Sequence, residues 1–228
     1  VDYDVQDLLP PMLDHFGEPF ADSSAIPEFH LSRVTRRHVT VALSGDGGDE
    51  LFGGYRRYPA RRWADLYNRW PAAGGRAVVE ALAARVSEPA TYFGTSWRKK
   101  MRRFLEFAAA VRAQPETSWA FFLTPADREW LYQPSFLEAV ADAPASFDPY
   151  FGRLHESGSQ AMLWLDLMTY LPDDILVKVD RMSMASSLEV RSPFLDPPVV
   201  EFTAGLGQEW KYGWRETKRV LRSVAARY

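Results

Sequence analysis

The 228-residue sequence contains no cysteine, which excludes disulfide bonds, thiolate zinc sites and any cysteine nucleophile. It also lacks a run of about 20 apolar residues, the length that a membrane-spanning helix needs. An excess of positive charge is absent too: the formal net charge is −3, whereas general nucleic-acid binding needs a strongly basic surface. We therefore expect a cytoplasmic protein that binds neither membranes nor nucleic acid.

Apolar residues are present in the proportion that a globular core needs. Hydrophobic residues make up 46% of the chain and aromatic residues 14%, enough for one large domain or two small ones. The chain begins with Val1 rather than Met and stops at Tyr228, inside a helical pattern that has no stop signal. From these two ends we expect a piece of a longer protein.

The stretch from His38 to Tyr58 carries the strongest local signal. Its apolar start, Val39–Leu43, predicts a buried strand. The strand leads into a glycine loop, Ser44–Gly48, and then into Asp49–Phe52, which begins a helix with two acids in its first turn, where the helix dipole favours them. A strand, a glycine loop and a helix N-terminus in this order present backbone N–H groups to an anion.

The glycine loop has acidic neighbours that narrow the choice of anion. It lacks the Gly-Lys-Ser/Thr of a Walker loop and the glycine spacing of a dinucleotide-binding loop. Asp46, Asp49 and Glu50 would repel bare phosphate, but Mg²⁺ is commonly held by one or two carboxylates together with phosphate oxygens. The sequence therefore favours phosphate carried with Mg²⁺, and an acidic turn that only caps the helix is the alternative.

Four segments resemble the ATP-using synthetase domain of the asparagine synthase family, in the family's order. They are SGDGGDELFGGYRRY (44–58), LPDDILVKVDRMSMASSLEVRSPFLD (171–196), EPFADSSAIP (18–27) and TKRVLR (217–222). The first two are long and specific, whereas residues 60–160 match no motif of that family. The resemblance implies an α/β, predominantly helical fold, the C-terminal portion of a Rossmann-like adenine-nucleotide domain of the ATP-pyrophosphatase (PP-loop) type.

The same resemblance implies how the chain is organised. Residues 1–228 would be a single, truncated synthetase domain. The family's upstream Ser-Gly-Gly-x-Asp-Ser loop, which grips the pyrophosphate of ATP, and its N-terminal glutaminase are both absent from this sequence. We expect the fragment alone to be inactive and to bind ATP poorly.

The reaction that the resemblance implies is amide synthesis by a ligase. ATP with Mg²⁺ would adenylate the side-chain carboxylate of aspartate, or of another acid, and ammonia cut from glutamine by the glutaminase domain would attack the acyl-adenylate. The products for aspartate would be asparagine, AMP and pyrophosphate. A homo-oligomer is left open.

Matching positions assign roles around the glycine loop. Ser44, Gly45 and Gly47 would contact the nucleotide, and Asp49 would hold Mg²⁺. Asp46 stands where family members that make asparagine commonly carry a glutamate, a candidate catalytic base. The shorter aspartate changes the reach of that base and leaves the acceptor substrate open.

Lys218 is the second candidate catalytic residue. The apolar positions of Trp210–Tyr228 recur at helical spacing and place Lys218 on the shoulder of the buried face. A lysine that only reaches water along its own stem is one interpretation. The resemblance at TKRVLR favours the other, in which the ammonium meets charge on the acyl-adenylate.

The segment 171–184 predicts a helix that restarts at Pro172, with Lys178 between Asp174 and Arg181 on one face. Its many apolar residues leave little room for a solvated face. We therefore expect Asp180 and Arg181 to be internal, ion-paired residues that order the site, with direct catalysis by them as the alternative. In the loop before the second helix, Asp22 or Ser23 is expected to cap that helix.

Other functions remain open at this point. The chain could be an amidotransferase or cyclase of the same family that acts on another carboxylate, or a different ATP-pyrophosphatase such as a nucleic-acid-modifying ligase, which the acidic balance disfavours. It could also be a non-catalytic helical binding module.

Overall fold

The computed structural model describes residues 5–69, 97–113, 125–140 and 158–228, together with 75, 78, 79, 81 and 150. The two strands are β1 (Val41–Leu43) and β2 (Glu189–Arg191). In chain order the helices are α1 (Val5–Phe16), α2 (Ala25–Arg36), α3 (Gly48–Phe52), α4 (Arg57–Asn68), α5 (Trp97–Ala113), α6 (Pro125–Leu131), α7 (Pro134–Ala139), α8 (Gly158–Leu165), a π-helix (Asp166–Leu176), α9 (Val177–Met184), a 3₁₀-helix (Pro193–Leu195), α10 (Pro197–Ala204), α11 (Gln208–Lys211) and α12 (Arg219–Ala225).

The chain forms two compact units. The first comprises Val1–Tyr55, Leu163–Gly213 and Thr217–Tyr228, and the second comprises Arg56–Met162 and Trp214–Glu216. The described residues are mostly helical with a small parallel sheet, which confirms the predicted predominance of helix. Within these residues no helix is both long enough and apolar enough to cross a membrane.

In the first unit, β1 and β2 form a parallel pair. Val41 lies opposite Glu189, Ala42 opposite Val190 and Leu43 opposite Arg191. The prediction of a buried strand is wrong, because Val41 is exposed and Leu43 is 74% exposed. Parallel strands are normally covered on both faces, and the described residues supply neither a third strand nor a complete covering layer for this pair.

The core of the first unit lies between α1, α2 and α9. Its apolar side chains come from all three helices: Leu8, Met12, Phe16, Ala25, Phe29 and Met182. Gly17, with φ of 72°, follows α1, and its N–H donates to the Leu13 carbonyl at 3.1 Å. This left-handed glycine ends the helix and turns the chain toward α2.

Residues 158–184 form one continuous helical run rather than a helix that restarts at Pro172. An eleven-residue π-helix joins α8 to α9 and contains Pro172. In a π-helix the hydrogen bonds run from residue i+5 to i, and proline lacks the N–H that an uninterrupted α-helix would use. The expectation of a break before Pro172 is therefore wrong.

Lys178, at the start of α9, is buried and anchors the loop before α2. Its Nζ lies 2.5 Å from Asp22 Oδ2 and 2.7 Å from Ser24 Oγ. Asp22 Oδ1 also accepts from the Ser24 N–H at 2.8 Å. Asp22 therefore closes this loop onto α9. The helix N-cap is Ser24, without a side-chain cap hydrogen bond, so the expected capping of α2 by Asp22 or Ser23 is wrong.

The expected internal ion pair of Asp180 and Arg181 is wrong as well. Both side chains are exposed, and Arg181 Nη1 donates to the His15 carbonyl at 3.3 Å. Helical periodicity identifies residues that share a face, but it does not say which face the neighbouring helices cover. Here α1 and α2 cover the face that carries Lys178 and Met182.

A Schellman-type turn joins α9 to β2. The Ser187 N–H donates to the Met184 carbonyl at 2.9 Å, and the Leu188 N–H donates to the Ser183 carbonyl at 3.0 Å. Ser187 takes the left-handed position with φ of 56°, where glycine is usual. The buried Leu188 fixes the end of the turn, and β2 starts directly after it.

The second unit is described best where α4 packs against α5. Ala64, Ala108 and Val111 form its buried cluster, and Asn68 Nδ2 donates to the Ala108 carbonyl at 2.9 Å. The basic start of α5 is exposed at Lys100, Arg102 and Arg103.

The end of the chain is not one amphipathic helix. α11 ends at Lys211, and α12 begins only at Arg219. Lys218 is the N-cap residue of α12, with a left-handed backbone at φ of 54°. Its predicted place on the shoulder of a helix that includes Trp214 is therefore wrong.

We predict that Lys178→Met lowers the free energy of unfolding by about 3 kcal/mol, because it leaves a carboxylate that is only 24% exposed without its cation. Burial alone would raise the pKa of Asp22, but hydrogen bonds from Lys178 and Ser24 lower it below its ordinary value of 3.8 overall. The stability that a lowered pKa contributes is present above pH 3.8 and is lost as pH falls through the folded-state pKa. The difference between wild type and variant should therefore shrink at acidic pH.

Urea unfolding between pH 2 and pH 7 measures this effect. The double variant Asp22→Asn/Lys178→Met should recover most of the loss. Arg191→Met breaks an exposed pair with Glu189 and should change stability by less than about 1 kcal/mol. Equal losses in Lys178→Met and Arg191→Met would show that burial gives the Lys178 pair no special role.

Candidate active site

The glycine loop (Ser44–Gly48) connects β1 to α3, as predicted, and is held against β2. The Ser44 N–H donates to the Arg191 carbonyl at 2.9 Å, which extends the strand pairing by one residue. Gly47 has φ of 81° and is the N-cap of α3. A Cβ at Gly47 would overlap the side chain of Leu195, so both the backbone angle and the space require glycine here.

Two serines and one carboxylate meet at the carboxyl ends of the strands. Ser44 Oγ donates to Asp46 Oδ2 at 2.7 Å and lies 2.8 Å from Ser192 Oγ. Ser192 directly follows β2, so the parallel register places it beside Ser44. The hydrogen bond from Ser44 therefore fixes the candidate base Asp46 within the loop.

Lys218 contacts the predicted magnesium ligand directly. Its Nζ lies 2.9 Å from Asp49 Oδ1, and the two side chains are 33% and 38% exposed. The pair joins the first turn of α3 to the N-cap of α12. A lysine with φ of 54° is strained, and strain of this kind concentrates at functional sites.

Gly54 makes room for this pair, a role that the sequence analysis did not assign. A Cβ at Gly54 would overlap the Asp49 carboxylate and the Lys218 stem. The Gly54 N–H also donates to the Asp49 carbonyl at 2.8 Å.

Phe194 restricts the space at Gly48. It packs edge-on against Phe52 at 5.6 Å between ring centroids and would lie 3.2 Å from a Cβ at Gly48. The close approach of Phe194 to Gly48, and of the Asp49–Lys218 pair to Gly54, explains why the motif has glycine at both positions.

Glu50 lies beneath the site and is 3% exposed. Tyr55 OH donates to its Oε1 at 2.6 Å. Burial raises the pKa of Glu50, a rise that the Tyr55 hydrogen bond partly offsets, and the charges of Asp49 and Asp166 add to the rise. Burial and this hydrogen bond also raise the pKa of Tyr55. The pair is a buried support under α3 rather than a group open to a substrate.

A second acidic group lies around Lys178. Burial is the main cause that raises the pKa of Glu28 on α2, and the charge of Asp46 adds to the rise. Burial, and after it the charge of Asp22, raises the pKa of Asp174 in the π-helix. The charge of Lys178 lowers both. Glu28 therefore links this group electrostatically to the glycine loop, which no sequence motif indicated.

The structure brings the predicted site residues into one region of the first unit. Ser44, Gly45, Asp46 and Gly47 belong to the glycine loop, and Asp49 follows in α3. Lys218 comes from the far end of the chain. The chain matches the asparagine synthase family over residues 2–228. The chain belongs to the asparagine synthase family.

Asparagine synthetases of bacteria are among its similar relatives. Asparagine synthetase [glutamine-hydrolyzing] 1 of Bacillus subtilis (strain 168) is 31% identical over 95% of this chain and 33% of its own length. A putative asparagine synthetase [glutamine-hydrolyzing] of Mycobacterium bovis is 32% identical over 94% of this chain and 31% of its own length. The chain thus spans about a third of the length of these two relatives. No solved structure matches the chain significantly.

The carboxylates near the glycine loop of this asparagine synthase family member are few for a Mg²⁺ site made by protein alone. Within the described ranges, no group of three or more His, Asp or Glu side chains could hold a metal ion by itself. Asp49 offers one carboxylate at the mouth of the glycine loop. One carboxylate fits a Mg²⁺ ion whose remaining coordination positions are filled by phosphate oxygens and water.

We predict that Glu50→Gln stabilises the protein at neutral pH and not at acidic pH. An acid whose pKa is raised in the fold contributes stability that is present below its unfolded pKa, near 4.5, and lost as pH rises through the folded-state pKa. Glutamine still accepts a hydrogen bond from Tyr55 and carries no charge to desolvate.

Unfolding free energies of wild type and Glu50→Gln should therefore diverge as pH rises from 4.5 toward 7. Glu201→Gln, at an exposed glutamate of α10, serves as the control and should give no such divergence. A constant difference across this range would mean that burial of the Glu50 charge does not limit stability.

Proposed function

We propose that this chain is the C-terminal portion of an ATP-dependent, amide-forming synthetase domain. In the intact protein it would convert aspartate, ammonia from glutamine and ATP into asparagine, AMP and pyrophosphate through an acyl-adenylate. The contact between Lys218 and Asp49, 2.9 Å long beside the glycine loop, is the observation that carries this proposal. The family supports it through relatives that are named asparagine synthetases.

The glycine loop would bind the nucleotide through its backbone. Ser44, Gly45 and Gly47 lie at the carboxyl end of a parallel strand, where open α/β sheets bind ligands. Asp49 would hold Mg²⁺, and Mg²⁺ when bound neutralises charge on the phosphate oxygens. The carboxylates of Asp46 and Asp49 beside the loop would then select phosphate that arrives with a cation.

Lys218 would act on charge that grows during adenylation and amide formation. Lys218 is 33% exposed and its partner Asp49 is 38% exposed. The ion pair therefore contributes little to stability, and either group can exchange its partner at small cost. Once Asp49 serves a metal, the ammonium is free to meet an oxyanion. A positioned donor of this kind contributes roughly 10²–10³ in rate.

Asp46 is the proposed base: it takes a proton from ammonium, and the ammonia so formed attacks the acyl-adenylate. Its hydrogen bond from Ser44 Oγ fixes its position in the loop, and a base must be positioned before its pKa matters. Glu28 contributes nearby negative charge, which favours approach of an ammonium over that of an anion.

Segments outside this chain would complete the enzyme. The exposed Val41 and Leu43 on the β1–β2 pair support a sheet that further strands of a Rossmann-like, PP-loop-type domain complete. Those upstream segments would carry the Ser-Gly-Gly-x-Asp-Ser loop, and an N-terminal glutaminase domain would supply ammonia. We propose that residues 1–228 form one part of this synthetase domain and act in the cytoplasm.

We predict that Lys218→Met in the intact enzyme lowers kcat by about 10²–10³-fold while its melting temperature changes little. Methionine keeps the length of the stem and removes the charge. Arginine should not restore activity, because its planar fork does not replace a compact ammonium.

Steady-state formation of asparagine measures this effect, and Lys100→Met, at an exposed lysine of α5, is the matched control. A kcat within about threefold of wild type would assign Lys218 to the surface rather than to the reaction.

We predict that Asp49→Asn abolishes Mg²⁺-dependent release of pyrophosphate from ATP and aspartate while the fold remains. Asparagine is tolerated in a first helical turn but is a poor ligand for Mg²⁺. A Mg²⁺ titration of pyrophosphate release in the intact enzyme is the measurement. Asp180→Asn, at an exposed position of α9, is the control, and equal release by Asp49→Asn and wild type would limit Asp49 to its helical and ion-pairing contacts.

A further inference from the structure

A polar cavity lies in the first unit, away from the glycine loop. It has a volume of about 390 Å³ and is formed where α2 and α9 end. Among the residues that the structure describes, its lining consists of three arginines, one phenylalanine, one alanine and one serine: Phe29, Arg33, Arg36, Arg37, Ala185 and Ser186. We call it the arginine cavity.

The arginine cavity is positively charged without a compensating carboxylate in its lining. Within the part of the chain that the structure describes, Arg33, Arg36 and Arg37 form no ion pair. The Arg33 guanidinium lies over the Phe29 ring, 5.8 Å from its centroid. The three cations thus share one concave surface, and none of the described acidic residues forms an ion pair with them.

The helix C-termini beside the cavity neutralise only part of this positive charge. Arginines near the end of a helix commonly balance a partial charge of about −0.5 on the last carbonyl groups. Two helices, α2 and α9, end at the arginine cavity, so their ends supply roughly one negative charge against three guanidinium groups. About two positive charges therefore remain for a ligand.

Ser186 lines the same cavity. Its Oγ is buried and has no hydrogen-bond partner among the described residues. Buried polar groups in native proteins are almost always paired. The Schellman-type turn around Ser187 holds this hydroxyl beside the arginines.

The arginine cavity and the glycine loop lie at opposite ends of the strand pair. β1 starts shortly after Arg37, and β2 starts shortly after Ser186. Both strands run from the cavity to the glycine loop, and a three-residue ladder spans roughly 10 Å. Because the strands are parallel, a ligand in the cavity occupies a location distinct from the proposed nucleotide site.

We propose that the arginine cavity binds a phosphate-bearing anion without a metal. Guanidinium groups bind phosphate oxygens through paired, charge-assisted hydrogen bonds, and Arg33, Arg36 and Arg37 all line the cavity. The glycine loop has the opposite requirement, because its carboxylates need Mg²⁺ beside the phosphate. Removal of divalent cations therefore separates the two locations.

Calorimetric titration of the full chain in EDTA tests this inference with inorganic phosphate, pyrophosphate and ATP as probes. Pyrophosphate should bind at one location per chain, and more tightly than phosphate because it carries more charge. ATP binding more tightly than pyrophosphate would identify a nucleotide as the source of the phosphate, and equal or weaker binding would identify the free anion.

Variants assign the binding to the cavity. Arg36→Gln and Arg37→Gln should each raise the dissociation constant for pyrophosphate at least about tenfold, since each removes a charge-assisted contact. Arg69→Gln, which removes the same charge at an exposed position outside the cavity, should leave it within about twofold. Lys218→Met should also leave it unchanged, so a failure of the proposed synthetase function does not affect the result.

Three outcomes would overturn the inference: no saturable binding in EDTA, equal weakening by Arg36→Gln, Arg37→Gln and Arg69→Gln, or weakening by Lys218→Met alone. Circular dichroism checks that each variant is folded. Because Arg37 is exposed, Arg37→Gln provides the decisive comparison if Arg36→Gln is unfolded.

Discussion

The parallel pairing of β1 and β2 determines where the groups around the glycine loop lie. Three residues of each strand are aligned, from Val41 opposite Glu189 to Leu43 opposite Arg191. The chain leaves both strands at the same edge, which brings Ser44 next to Ser192 and Leu195 against Gly47. Backbone groups in a sheet are paired whatever the side chains are, so the position of the loop depends on main-chain geometry first.

Two ion pairs between distant segments differ in what they contribute. Lys178 and Asp22 are 10% and 24% exposed, so loss of either partner leaves a charge in a poorly solvated place. Lys218 and Asp49 are 33% and 38% exposed, and water replaces the lost contact at little cost. The first pair therefore suits a structural role, and the second suits a role in which partners change.

Sequence reasoning predicted the strand, glycine loop and acidic helix start around residues 39–52, because those signals are local. It failed for Asp180 and Arg181, since helical spacing does not reveal which face neighbouring helices cover. It also failed for the burial of β1, which depends on strands elsewhere. Lys218 was found through the TKRVLR resemblance, whereas the helix that supported it does not exist. The arginine cavity had no sequence signal, because it needs Ser186 beside α2.

Because of the π-helix, the orientation of α9 depends on the number of residues between α8 and α9. Successive residues of an α-helix are rotated by about 100°, and a π-helix typically accommodates extra residues within a helical run. Deletion of one residue from Asp166–Leu176 would rotate everything that follows, and the side chain of Lys178 would leave the direction of Asp22. Insertions and deletions in this segment are therefore constrained even where individual substitutions at its exposed positions, such as Asp173, are not.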